Sequence, residues 1–466
     1  MKNNRSMKAI HRVMVFLIPA LWIGAVQETP FFWDTVQLAS KHAHFFYENH
    51  LKWAALPPAI DSGHPPFLGY YLAVVWSFFG KTLTVSHWAM YPFLVATTAL
   101  ILALGRRVAV HWRWWWLPVI WLDPVWSGQA ALVSPDTILA TGFLGAVWAA
   151  RANKPVLLST FMALLCIVSM RGMMTTAALS LWLLASARAR AGEIVFRVAP
   201  GAAVAALFLG WHYATTGWIG HFEGSSWAAA FERTDAAGVL RNAAILVWRW
   251  TDQNRFIGWI FVGAAIYLTG WKVFYRRHRD GFWLLAATII FLTPSALLYK
   301  NLSAHRYFLP VFLALHLLIF ELVVQKKGSD FLKKSAFATW ALLMAAGHFW
   351  IYPKGVSMDW DCTLAHLSYH PLREKAVAFM DQHHILQEQT GSAFPNLNTG
   401  EHLLLNGDYR QMQPLDLPRQ PFVMVSNVFN DVDMPQYDTL QQFYTVKAQW
   451  EQAGVWIALW QQKQQQ

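Results

Sequence analysis

Acidic and basic residues of this chain collect at the margins of its apolar segments. Asp34 lies in Phe31-Phe32-Trp33-Asp34-Thr35, directly after the first apolar run. Its aromatic neighbours make the surroundings partly apolar, which suits a carboxylate that takes a proton from a hydroxyl. A lone Asp there serves equally as a solvated loop residue or a helix cap. Asp136, in Ser134-Pro135-Asp136-Thr137, opens a later run. An Asp in a first turn complements the helix dipole, and on the same membrane face as Asp34 it would complete a two-acid site. Asp123, before Pro124 and inside a third run, is unfavourable in lipid unless paired.

The basic partners come late. Lys300, His305 and Arg306 precede Tyr307 and Pro310, a cationic cluster able to hold phosphate through charge-assisted, bidentate hydrogen bonds. An Arg at a helix end also snorkels. His64, before the rigid pair Pro65-Pro66, would add to the phosphate site. Glu48, Arg171, His221, Glu223 and Arg255 are candidates for shaping an acceptor groove. No metal site is expected, because His42/His44 and His383/His384 lack partners at zinc-type spacing.

These residues need a membrane to position them. The chain of 466 residues is 56% hydrophobic, carries 27 Trp and is only 14% charged, more apolar surface than a soluble core can hide. The net charge of +11 does not mark a nucleic-acid partner, because the Lys and Arg residues fall in short clusters between apolar runs. Two cysteines, one in an apolar run and one in the polar tail, imply no disulfide chemistry. Eleven spans are expected, near 13–28, 87–105, 114–131, 135–150, 155–170, 173–187, 198–214, 255–271, 281–298, 307–325 and 335–352. The first is read as a retained span, since bulky Phe31-Phe32-Trp33 replaces a small-residue cleavage site.

Every second loop is then basic, including 106–113, 188–197, 272–279 and 326–334, which places the N-terminus inside and the loops 29–86 and 215–254 outside. Phe67–Gly80 is laid in the interface, and Val36–His50 is expected as an amphipathic surface helix. The expectation is therefore an α-helical polytopic membrane protein over 1–352 with interfacial juxtamembrane helices, plus a small mixed α/β extracytoplasmic domain over 353–466. In that domain 421–426 and 454–460 read as strands, and the terminal glutamines as frayed.

Four short motifs give this pattern a likeness: Trp33-Asp34, His64-Pro65-Pro66, Pro135-Asp136 and His305-Arg306-Tyr307 with Pro310. In this order on one face, they resemble the GT-C superfamily of integral-membrane glycosyltransferases, in the branch of protein O-mannosyltransferases and lipid A aminoarabinose transferase. The resemblance implies a sugar donor carried on polyprenyl phosphate and a lipid, glycan or protein acceptor. It also implies an inner-membrane location with transfer on the periplasmic face, and inversion at the sugar carbon. It assigns Asp34 to the family's catalytic acid, Asp136 to a second acid, His64 to a position associated with the lipid phosphate, and Arg306 to the late basic motif. Thr35 stands where many relatives have a second acid beside the first. No cofactor is expected, and a divalent cation is not indicated. A lipid-linked glycan transporter or flippase would need intramembrane polar sites and often repeat symmetry, whereas here the polar candidates gather at one face and no repeat is visible. An inactive relative would be a binding scaffold that keeps the fold but carries Thr35 where a catalytic acid should stand.

Overall fold

The computed structural model describes residues 2–225, 228–300, 303–326, 328–353, 356 and 358–463. Lys327 of the basic stretch 326–334 and the terminal Gln464–Gln466 lie outside the described residues. The protein is mainly helical, with a five-stranded sheet in its C-terminal part. Among the described residues four helical stretches are long and apolar enough to cross a membrane: Leu83–Val108, Ala191–Thr216, Trp271–Leu298 and His305–Gln325. Val13–Val26, Phe67–Phe79, Pro155–Val168 and Arg255–Thr269 are shorter apolar helices. Phe67–Phe79 spans about 20 Å at 1.5 Å per residue, well short of a hydrocarbon core of about 30 Å.

Each expected apolar run forms helix, but local chemistry redraws several boundaries. The third run breaks in two, Arg113–Trp121 and Pro124–Ala130, because the Asp123 side chain accepts the Trp126 N–H and Pro124 starts the second helix. The basic stretch 272–279, expected as a loop, is helical within Trp271–Leu298, which bends at His278. The loop 215–254 contains the helix Ala236–Thr251, capped by Asp235 and burying Asn242, Leu246 and Arg249 along one face. The surface helix after Asp34 begins as a π-helical turn, Val36–Lys41, and continues as His42–Glu48.

The tail holds β1 (Thr390–Ser392), β2 (Gln413–Pro414), β3 (Phe422–Ser426), β4 (Tyr444–Gln452) and β5 (Val455–Gln462), ordered β2-β1-β3-β5-β4. The β1–β2 and β1–β3 pairs are parallel, while β5 runs antiparallel to both β3 and β4. Gln461 and Gln462 are not frayed; they pair within β5. Helix Tyr369–Gln382 covers the sheet, and Met380, Val423, Val425, Ile457 and Leu459 share one buried cluster with Phe32 of the first loop.

The tail is fastened to the rest of the protein on two sides. Phe31 N–H donates to the Leu403 carbonyl (2.9 Å), Ser40 Oγ to the His402 carbonyl (2.7 Å), and Glu401 pairs with His44 and Lys81. On the other side Gln129 Nε2 donates to the Asp361 carbonyl (2.8 Å). A Cβ at Gly128 would lie 2.7 Å from that carbonyl, so only glycine allows the approach.

Candidate functional site

The acidic end of the site is a short closed turn. Thr35 Oγ1 accepts the Phe32 N–H (3.0 Å) and donates to the Phe32 carbonyl (2.7 Å). Trp33 between them adopts φ +53°, a left-handed conformation that is unfavourable for a bulky residue and marks a position held by its surroundings. Those surroundings are aromatic: Phe32 stacks on His366 at 5.2 Å and Trp33 meets Phe394 at 5.5 Å, both rings belonging to the tail. The turn presents Asp34 to a cavity, with 26% of its side chain exposed.

Opposite stands His64. Gly63, at φ +72°, lies so close to the Gly220 carbonyl that a Cβ would sit 2.0 Å from it. Asp61 fixes the same loop by accepting the Gly63 N–H (2.8 Å) and pairing with His212 (2.9 Å). His64 Nδ1 accepts the Met170 N–H at 3.2 Å, which fixes the tautomer and leaves Nε2–H as a donor. Burial, and then the Arg171 guanidinium, push the imidazole down to about 3. His64 is thus a neutral hydrogen-bond donor rather than the cation expected from the sequence.

The guanidinium lining the cavity is that of Arg171. It sits in the first turn of helix Met170–Ala185, after the cap in which Ser169 Oγ accepts the Gly172 N–H. Its Nη1 is 2.8 Å from Asp136, itself in the first turn of Pro135–Arg151 behind the Ser134 cap. It also lies over the Tyr307 ring, 4.5 Å from the centroid. Asp34, His64, Arg171 and Tyr307 line one cavity of about 430 Å³, whose walls continue through Met170, Met174, Ile219 and Leu292. A polar pocket with an apolar extension of this kind can hold an amphiphile by its head.

Other expected residues lie elsewhere. Arg306 is buried behind Asp34, pairing with it through Nη2 and with Asp361 through Nη1 (2.7 Å), and does not line the cavity. His305 is enclosed between Asp252 (2.8 Å) and Asp359 (2.6 Å), so neither ring nitrogen is open to a phosphate. Lys300 pairs with Glu232 at the surface (2.5 Å). Arg255, expected at an acceptor groove, is fully buried on Asp123, with Nη2 at 2.7 Å and Nε at 3.1 Å. Asp123 is completed by His316 Nε2 (2.9 Å), which explains how a carboxylate is tolerated there. His221 does line the cavity, stacked on Phe231 at 4.4 Å, whereas Glu48 and Glu223 are exposed.

His305, Asp359 and Cys362 bring their ligand atoms within 4.8 Å of one another. As a metal set they fit poorly: both His305 nitrogens face carboxylates, and Asp359 also pairs with Arg249 (3.3 Å). Burial opposes ionisation of Asp359, but Arg249 and the His305 hydrogen bonds hold it well below the usual carboxylate range.

Sequence reasoning missed Asp361. Its only local signal is the pair of acids in Asp359-Trp360-Asp361, just beyond the last apolar run.

Neither a protein-family model nor a curated protein matches this sequence. Two crystal structures match the fold over nearly the whole length. ArnT from Cupriavidus metallidurans bound to undecaprenyl phosphate superposes with a TM-score of 0.56 at 11% identity, covering 96% of this chain and 97% of that one. The apo state of the same protein gives 0.53 at 14% identity, covering 97% and 98%. The fold is therefore the one seen in ArnT.

Proposed function

We propose that this chain, sharing the ArnT fold, is a membrane glycosyltransferase that moves a sugar from a polyprenyl-phosphate donor to a lipid, glycan or protein acceptor. The observation carrying this reading is one cavity that Asp34, Arg171, His64 and Tyr307 line together with apolar Met174, Ile219 and Leu292. The polyprenyl chain lies along Met174 and Leu292, and the phosphate against Arg171 and the Nε2–H of His64. The leaving group departs as a phosphate anion and needs little protonation, so fixed donors supply most of the stabilisation.

Asp34 takes the proton of the acceptor hydroxyl as its oxygen attacks the sugar carbon, and attack opposite the leaving phosphate inverts that centre. Arg306, behind Asp34, holds its carboxylate in place. In this reading eleven spans cross the inner membrane over 1–352, the N-terminus is cytoplasmic, and the site and the tail 353–466 are periplasmic. The test uses purified full-length protein in nanodiscs. It should bind undecaprenyl phosphate and, given membrane extract as acceptor, transfer radiolabelled sugar from polyprenyl phosphate. Binding without transfer would leave a scaffold; neither would end the proposal.

A further inference from the structure

Two carboxylates share one guanidinium behind the cavity. Arg306 contacts Asp34 of the first loop through Nη2 and Asp361 of the tail through Nη1. Asp361 is 1% exposed and its backbone is locked onto helix Pro124–Ala130 by Gln129 and the Gly128 approach, so it cannot turn to water. The charged and titratable groups around it are Arg306, Asp34, Asp359 and Cys362, whose Sγ is 3.4 Å from Asp361 Oδ1. Asp359 is already matched by Arg249 and His305. Among the described residues that leaves Arg306 as the single cation paired with these two acids, and a surplus buried charge is costly unless a proton neutralises it.

We propose that Asp361 is a positioning residue for the transfer reaction, dividing the Arg306 charge with Asp34 and so setting how firmly Asp34 is held. The assignment rests on Asp34 being the reacting carboxylate. Burial, opposed by Arg306 and reinforced by Asp34 and Asp359, pushes the Asp361 carboxyl up to about 6. Below that pH Asp361 carries a proton and Arg306 serves Asp34 alone; above it Asp361 competes, and Asp34 becomes the freer base. Activity should rise through pH 6 for this reason, and Asp361→Asn should remove that limb of the kcat profile while leaving KM for the donor in place.

The decisive experiment needs no substrate. Infrared titration of the full-length protein in nanodiscs should show a protonated-carboxyl carbonyl band at pH 5 that disappears with a midpoint near pH 6. The band should be missing in Asp361→Asn. In Asp34→Asn the midpoint should fall by about one pH unit, because a neighbouring negative charge is gone and Arg306 is released to Asp361. A band that survives in Asp361→Asn, or a midpoint unmoved by Asp34→Asn, would overturn the assignment. Should Asp361→Asn fail to fold, the Asp34→Asn shift alone decides. Because no donor is used, failure here is separable from failure of the transferase reading.

Discussion

Arg171 and Asp136 meet at 2.8 Å between two helix N-termini, and the guanidinium spreads over the Tyr307 ring from that anchor. The pairing aims a cation into the cavity without leaving either charge unmatched. Removing Arg171 should weaken undecaprenyl phosphate binding by about 2–5 kcal/mol, the effect of breaking a desolvated charge pair. Arg171→Lys should recover only part, since the planar fork is lost. The comparison belongs in an Asp136→Asn background, so that no buried carboxylate is stranded, with Kd measured in nanodiscs. Unchanged affinity in Arg171→Ala would place the phosphate elsewhere.

His64 contributes as a neutral donor. With its imidazole at about 3, it is uncharged throughout the range where membranes are assayed. Burial and the neighbouring Arg171 guanidinium depress the imidazole, so His64 gains a proton only in acid. His64→Ala should therefore reduce undecaprenyl phosphate affinity by about 1.5–3 kcal/mol, as for one hydrogen bond from a neutral donor to a charged acceptor. The ratio of wild-type to variant Kd should be the same at pH 5.5 and pH 8. A ratio that grows toward acid pH would show an imidazolium instead.

Arg255 is a structural residue. Arg255→Ala leaves Asp123 buried with His316 as its remaining side-chain partner, and should lower unfolding stability by about 3–5 kcal/mol. Thermal unfolding in detergent checks this, together with activity per folded molecule, which should stay near wild type. Normal stability with selectively lost transfer would return Arg255 to the acceptor groove.

Topology can be read by cysteine labelling. Cys166 and Cys362 are both buried and should stay silent. Ala59→Cys in the first loop and Gln382→Cys in the tail are exposed and should react with a membrane-impermeant thiol reagent in intact spheroplasts. Labelling only after permeabilisation would put the site on the cytoplasmic side.

The elements set by long apolar periodicity and by strand alternation were legible in the sequence. The apolar runs became helices, and the two β-rich stretches of the tail became β3 and β5. Boundaries governed by single side chains were harder: Asp123 with Pro124 splits one helix, and Asp235 caps another inside an expected loop. Asp34, His64, Asp136 and Arg171 were all singled out; Asp34, His64 and Arg171 line one cavity, and Asp136 pairs with Arg171 from outside its lining. The partnership among the basic groups was not legible. The basic residues that stand close together in the sequence, Lys300, His305 and Arg306, point three ways in space: Lys300 to Glu232, His305 to Asp252 and Asp359, and Arg306 to Asp34 and Asp361, the partners Asp359 and Asp361 coming from the distant tail.

Transfer by an Asp34→Asn protein tests the central claim most directly. The substitution keeps size and the Thr35-closed turn while removing the base, which should contribute about 10²–10⁴-fold to rate. Asp136→Asn should be milder and act partly through the first helical turn in which Asp136 complements the dipole. Sugar transfer from polyprenyl phosphate should be measured in purified, folded protein alongside undecaprenyl phosphate binding. The account predicts binding near wild type with transfer collapsed by at least about a hundredfold; an Asp34→Asn enzyme that binds the lipid and transfers at the wild-type rate would contradict it.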